Sequence, residues 1–192
     1  MSWDIFKDRM VQYGGNQRST STDGYAEKFV REYDQCVKRG HDSLHFIPLQ
    51  LGNTDVMESG VRSIFQSQQL NSNQTQLIRL LGTTVLSYWG GATMASFPIP
   101  EAPVGTGIPA IPAPGSVSNI GITSNVVLNP GTWSLDFNIF PTTNPNGWLD
   151  FFIISARTHL QTVSGLISTT SIYPPIGTPG PGFIFWTGYT IP

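Results

Sequence analysis

The sequence predicts an α+β fold: a helical first half, a proline-rich linker, a small antiparallel β section, a last helix and an extended arm. Three observations support this prediction. Apolar residues recur at helical spacing through residues 1–95, residues 133–139 alternate strictly between apolar and polar side chains, and six of the 15 prolines fall within residues 97–115. A chain of 192 residues can bury the core of one domain or of two small ones.

These patterns divide the chain into four predicted segments. They are a helical domain (1–96), a Pro/Gly-rich linker (97–115), a small β section with a helix (116–170) and an extended aromatic arm (171–192).

The first two helices are predicted from apolar stripes. The first stripe is Trp3, Phe6, Met10 and Tyr13, and two glycines end that helix. The second helix covers residues 24–39, and its apolar stripe consists of Tyr25, Phe29, Tyr33, Cys36 and Val37. Lys28 and Glu32 are expected to pair on its outer side. Asp23 is expected to cap its start, and Gly40 to follow its end in the left-handed conformation.

Two more helices complete the first half. One begins near Thr54 or Asp55, with an inner face made of Met57, Val61, Ile64 and Phe65. The other follows a polar loop and ends at Gly90 and Gly91. Its buried side is predicted to consist of Leu77, Leu81, Val85, Tyr88 and Trp89.

The second half is predicted to be mostly extended chain. The prolines of residues 97–115 exclude a helix and a central strand. Residues 126–128 and 133–139 are predicted strands joined by a turn at 129–131, and residues 117–122 can add a third strand. The last helix is predicted over 148–168, before the arm resumes the extended conformation.

Charge is distributed very unevenly. Of the 22 Lys, Arg, Asp and Glu residues, 18 lie in residues 1–100, and residues 158–192 contain none. Exposed surface normally carries about a quarter to a third charged residues. A neutral segment of this length therefore suggests coverage by other subunits. The net charge of −2 argues against the basic surface that nucleic-acid binding requires.

Three sets of residues are candidates for a metal site or for catalysis: two spaced histidines, the single cysteine and His159. His41 and His45 have the spacing of two zinc ligands on one helix face, but Gly40 ends the preceding helix and a third ligand is not evident. Cys36 lies on an apolar stripe, where burial is expected, and His159 is expected to make a hydrogen bond at the core edge or at an interface. No catalytic or phosphate-binding motif occurs, so we predict a protein that is not an enzyme and has no cofactor.

Two further interpretations concern the cellular location of the protein. The N-terminal nine residues lack the apolar core of a secretory signal, which favours synthesis in the cytoplasm. Residues 80–97 are uncharged but rich in Gly, Ser and Thr, which argues against a membrane span there. A membrane association through residues 77–97 or 151–167 is an alternative and not the main expectation.

The neutral, aromatic-rich extended segments of the second half favour a role in protein assembly. Aromatic residues dominate the energetics of protein interfaces, and extended segments can add a strand to a partner. The predicted interface residues are Phe183, Phe185, Trp186, Tyr189 and Trp133. The alternative is that the aromatic end folds back on the chain's own helices.

A helical first half (residues 24–39 and 54–89), a neutral Thr/Asn/Gly/Pro-rich second half and an aromatic arm (172–192) together resemble structural proteins of tailed bacteriophages, such as head, neck or tail components. The resemblance is architectural and compositional and transfers no functional residue. It implies a virion structural protein, made in the host cytoplasm, whose partners are other copies of itself and other virion proteins. The remaining alternatives are a membrane-associated protein and a small metal-binding protein centred on His41 and His45.

Overall fold

A computed structural model describes most of the helical part of the chain and portions of the β section. The described residues are 2–16, 22–43, 46, 48–67, 74–90, 92–94, 97–99, 115–117, 120–121, 146–170 and 181–192. The fold is α+β, as the sequence predicts, with N-terminal helices, a further helix after the proline-rich region and antiparallel strands.

Five helices are present within these residues: α1 (Trp3–Asn16), α2 (Thr22–Val37), α3 (Thr54–Gln66), α4 (Gln74–Gly90) and α5 (Gly147–Thr162). The first four begin and end close to the predicted positions. Asp23 is inside α2 and not its cap, so that prediction is wrong in detail. Its carboxylate instead accepts a hydrogen bond of 2.8 Å from Gln66 at the end of α3.

The last helix is shorter than predicted. It ends at Thr162 because Val163 has an extended backbone, with φ −62° and ψ 133°. Residues 164–168, which the prediction placed in this helix, belong to a strand that covers Ser164–Thr170. Ser, Gly and β-branched residues have low helix propensity, and strand pairing gives their backbone groups partners instead.

The described strands are β1 (His41–Asp42), β2 (Leu49–Leu51), β3 (Thr93–Met94), β4 (Phe97–Ile99), β5 (Gly115–Val117), β6 (Ile120–Gly121), β7 (Ser164–Thr170), β8 (Pro181–Thr187) and β9 (Tyr189–Thr190). All their pairings are antiparallel. β1 pairs with β9, β4 with β5 and β7 with β8, while β3 lies between β2 and β6.

The longest pairing joins β7 to β8. It runs in register from the pair Ser164–Thr187 to the pair Thr170–Pro181. Residues 181–187 of the predicted arm therefore form a strand that pairs with the protein's own chain. Pro181 stands at the first position of its strand, where a missing N–H is tolerated.

The ends of the proline-rich segment also pair. Phe97 lies opposite Val117 and Ile99 opposite Gly115, so strand structure reaches into a region where neither a helix nor a central strand was expected. The resulting sheet has two strands among the described residues. The strands predicted at 126–128 and 133–139 lie outside the described residues.

The core lies between the five helices and is dominated by aromatic rings. Phe152 of α5 contacts Phe6, Phe29 and Tyr33 with ring centroids 4.9–6.1 Å apart. The large side chains that are fully buried in this core include Trp89, Tyr33, Tyr88, Phe6, Phe29 and Phe152. One buried cluster thus contains residues from α1 through α5 and also Tyr189 near the C-terminal end. The predicted segment boundaries remain predictions, but α5 and Tyr189 share the core of the first half.

Gly40 has a different role from the predicted one. The left-handed backbone is found at Gly188 among the described glycines, not at Gly40. A Cβ on Gly40 would lie 2.5 Å from both the Thr190 carbonyl oxygen and the Tyr189 ring. A side chain is excluded there because β9 passes directly over this residue.

Candidate functional site: the Tyr189 pocket

The C-terminal strand inserts the side chain of Tyr189 into the helical core, and Ile191 packs against the same core. Tyr189 is 3% exposed, and its ring meets that of Trp89 edge to face at a centroid distance of 5.2 Å. We call the surrounding site the Tyr189 pocket, formed by Val37, Gly40, Leu49 and Trp89. The pocket joins the end of α2, the strand β2 and the end of α4.

The hydroxyl group of Tyr189 satisfies two backbone groups. It donates a hydrogen bond of 2.9 Å to the Val37 carbonyl at the C-terminal end of α2 and accepts one of 2.9 Å from the Leu49 N–H. Burial raises the pKa of Tyr189 above its ordinary value, although the bond from Leu49 acts in the opposite direction. The phenol is therefore neutral and acts as a structural bridge.

The backbone around Tyr189 is held by a short ladder and by hydrogen bonds at Gly188. Its ladder with β1 consists of two residue pairs, His41 with Thr190 and Asp42 with Tyr189. Gly188, with φ 69°, donates to the Val163 carbonyl at 2.7 Å, and its own carbonyl accepts from Ser43 N–H at 2.9 Å.

The structure places the predicted interface residues in different environments. Tyr189 is buried against the protein's own helices, which is the alternative that the sequence left open. Phe183, Phe185 and Trp186 are on β8, with their backbones opposite Ser168, Leu166 and Gly165 of β7. Trp133 lies outside the described residues.

The predicted metal pair is only partly described. The His41 ring Nδ1 lies 2.9 Å from the Asp42 carbonyl oxygen, and the ring packs against Phe46 at 4.9 Å. His45 lies outside the described residues. In the part of the chain that the structure describes, no three His, Cys, Asp or Glu side chains converge as a metal site.

Cys36 is buried, as predicted. Its relative exposure is 0%, and burial raises the pKa of its thiol to about 11. Since the thiolate is the reactive form, burial and the raised pKa disfavour reaction of Cys36 at neutral pH, and its side chain packs in the core.

A buried carboxylate was missed by the sequence reasoning. Glu32 was predicted on the outer side of α2 beside Lys28, yet it is 2% exposed. Arg9 of α1 lies over it and donates a hydrogen bond of 2.8 Å, while Lys28 donates a second. Burial alone raises the pKa of Glu32, but the hydrogen bonds and charges of Lys28 and Arg9 outweigh it and lower that pKa. Helical spacing identified the partner on the same helix but not the one on α1.

His159 lies deeper than the expected core edge. It is 0% exposed, and Ser155, one turn earlier on α5, is equally buried. Burial lowers the pKa of His159 to about 4 from 6.5, so the ring is neutral at physiological pH.

This burial predicts a pH dependence of stability. The unfolded chain binds a proton at His159 near pH 6.5 and the folded chain only near pH 4, so stability is lost as the pH falls between these values. We expect the free energy of unfolding to drop by about 2 kcal/mol from about pH 7 to about pH 5. Urea denaturation of wild type and His159→Gln at both pH values measures it.

The variant should show a smaller pH dependence than wild type over that range. The carboxylate of Glu32 has its ordinary pKa at 4.5 and a lower one when folded, so it contributes little above pH 5. Equal slopes for wild type and His159→Gln would contradict the assignment to His159.

No described helix is both long enough and apolar enough to cross a bilayer.

Near the Tyr189 pocket, a groove of about 380 Å³ is bordered by Trp3, Arg157, Leu160 and Ile191.

Comparison with known proteins found no similar chain. No protein-family model matches, and neither curated proteins nor solved structures show a match. The described residues define the protein structurally. They form a helical domain with antiparallel strands, and the C-terminal strand inserts a tyrosine into the core.

Proposed function

We propose that this chain is a non-enzymatic structural protein of a virus particle, of the kind found in the head, neck or tail of tailed bacteriophages. It would contact other copies of itself and other virion proteins through the neutral strands of its second half. One observation carries the proposal: the seven-residue strands β7 and β8 pair in register along their full length and contain no charged residue.

A strand at the edge of a sheet offers unpaired N–H and C=O groups to any other chain. Monomeric proteins protect such edges with charges, especially lysine, with bulges, or by covering them. Among the described strands, β7 and β8 form ladder hydrogen bonds only with each other, although β7 also lies close to β5 and β6, and neither β7 nor β8 carries a charge. A neutral pair of strands of this kind is suited to continue pairing with a neighbouring subunit.

The helical half supplies a stable platform for these strands. Its core is rich in ring contacts, and its surface carries the ion pairs Lys38–Asp34 and Arg62–Glu58 within single helices. Lys7 of α1 also meets Asp150 of α5. The charged surface of the helices would repel other copies of the chain, while the neutral strands β7 and β8 could accept them.

Quantitative mass spectrometry of purified virus particles tests the proposed function directly. We expect the chain at a constant number of copies per particle, set by the symmetry of the structure that contains it. Its absence from particles, together with a monomeric state in solution at all salt concentrations, would contradict the proposal.

A lysine on the neutral strands should weaken assembly. We expect Thr169→Lys in β7 to weaken self-association about tenfold or more, because an edge lysine opposes pairing with another chain. Sedimentation velocity over a range of protein concentrations measures the change.

Thr83→Lys is the matched control, since it makes the same change at an exposed position of α4. It should leave self-association close to wild type. An equal loss in both variants would attribute the effect to net charge and would argue against an interface on β7.

A further inference from the structure

We propose that Tyr189 is a positioning residue that fixes the register of the β7–β8 pair, that is, which residue of β8 lies opposite which residue of β7. The pocket that holds it belongs to the same chain, and Tyr189 lies two residues beyond the end of β8. The inference concerns the isolated chain and goes beyond the proposed function. Only its consequence for assembly rests on that function.

Both strands are attached to the helical core at the same end. β7 begins at Ser164, directly after Val163, which caps the C-terminal end of α5. β8 ends at Thr187, and the next N–H, that of Gly188, donates a hydrogen bond of 2.7 Å to the Val163 carbonyl. This bond continues the ladder beyond the pair Ser164–Thr187. The position of β8 along β7 is therefore set where both strands meet the core.

Ladder hydrogen bonds do not select one register by themselves, because every residue except proline offers the same backbone groups. In a hairpin the register is usually fixed by a short turn of defined type, about two to five residues long. The connection between β7 and β8 is residues 171–180, which is longer than such a turn. A second determinant of register is therefore needed, and Tyr189 supplies it.

The contacts of Tyr189 oppose a slip of β8 in either direction. A slip of one residue moves a strand by about 3.4 Å along its partner. The Tyr189 hydroxyl is 2.9 Å from both the Val37 carbonyl oxygen and the Leu49 nitrogen, so a movement of this size would break both hydrogen bonds. It would also separate the ring from Trp89, whose centroid is 5.2 Å away.

The residue between β8 and Tyr189 cannot take up such a movement. Gly188 is the only residue that separates them, and both of its backbone groups are bonded. Its N–H donates to Val163, and its carbonyl accepts a hydrogen bond of 2.9 Å from the Ser43 N–H. A slip of β8 is therefore passed on to the Tyr189 side chain.

The register decides what the strands present to a partner. A slip of one residue moves every side chain of a strand to its other face, and it changes which backbone groups lie at each point of the edge. If β7 and β8 pair with a neighbouring subunit, as proposed above, a fixed register gives every copy the same edge. Tyr189 then acts on assembly without touching the partner.

Pairs of engineered cysteines in the full-length chain measure the register. Thr169 and Gly182 lie opposite each other, and directly opposed Cα atoms in antiparallel strands are about 4.5–5.5 Å apart, within the range of a disulfide. The native pair is thus Thr169→Cys with Gly182→Cys. The two shifted pairs combine Gly182→Cys with either Ser168→Cys or Thr170→Cys. Their cysteines belong to opposite faces unless β8 slips by one residue.

The disulfide yield of each pair is measured at equilibrium in a glutathione redox buffer, and peptide mass spectrometry identifies the bonded cysteines. Cys36 is buried and is the same in every variant. With Tyr189 present, we expect the native pair to exceed either shifted pair at least tenfold. Tyr189→Ala should lower this ratio about tenfold or more. Tyr189→Phe, which keeps the ring beside Trp89, should lower it less.

Met57→Ala is the control for general destabilisation. Met57 is fully buried on α3 and is not one of the residues that form the Tyr189 pocket. Its loss weakens the core but should leave the ratio within about twofold of wild type. An unchanged ratio in Tyr189→Ala would overturn the inference, and so would an equal fall in Met57→Ala.

The outcome is independent of the test of the proposed function. A lower ratio in Tyr189→Ala, for a chain that is absent from purified virus particles, would support the positioning role and refute the virion role. An unchanged ratio, for a chain that is present in particles, would refute the positioning role and leave the virion role standing.

Discussion

Replacing Tyr189 with alanine is expected to lower the free energy of unfolding by about 4 kcal/mol, the largest effect of any substitution in the C-terminal strand. The change removes a ring that is 3% exposed and leaves a cavity beside Trp89. It also removes both hydrogen bonds of the hydroxyl, so the Val37 carbonyl and the Leu49 N–H lose their partner. Guanidinium denaturation followed by circular dichroism measures the loss.

Two companion variants resolve this effect into parts. Tyr189→Phe keeps the ring and should cost about 2 kcal/mol, since it leaves two buried backbone groups without the hydroxyl. Tyr13→Ala makes the same chemical change at a half-buried position of α1 and should cost clearly less. If Tyr189→Ala is no more destabilising than Tyr13→Ala, the strand is not anchored through this ring.

Gly52→Ala is expected to destabilise the fold by about 2–3 kcal/mol through overpacking. A Cβ at Gly52 would overlap the ring of Tyr88. That ring cannot easily give way, because it is fully buried and its hydroxyl donates a hydrogen bond of 2.7 Å to Asp34. The thermal unfolding midpoint and the near-UV spectrum, which reports aromatic packing, measure the effect together.

Gly90→Ala is the matched substitution. A Cβ there meets no atom within 4 Å, and alanine is a better helix former than glycine at the end of α4. We expect its stability to equal or slightly exceed wild type. Comparable losses at both glycines would show that the Tyr88 contact is not the cause.

The helices of the first half could be predicted because their signal is local. In α2, Phe29, Tyr33 and Cys36 recur at helical spacing, and all three are buried. The end of α5 could not be predicted in the same way. Val163 and the residues after it continue an apolar helical pattern, but they gain more from pairing with β8, whose position the local sequence does not reveal.

The candidate site shows the same division. The sequence singled out Tyr189 as a residue of a subunit interface, since aromatic residues dominate interface energetics, and left burial against the chain's own helices as the alternative. It did not identify the surface to which the ring is anchored. Glu32 illustrates the reverse case: its partner Lys28 was evident from spacing, while its burial depends on Arg9, which is distant in sequence.

By itself, the sequence determined the α+β class, the four N-terminal helices, the buried state of Cys36 and the neutrality of the last 35 residues. Each follows from composition or from periodicity over neighbouring residues. Only the tertiary structure decided that β8 returns along β7 and that Tyr189 enters the core above Gly40. The physical reason is that strand pairing and close packing join residues far apart in the chain, so the free energy that selects them depends on which surfaces the fold brings together.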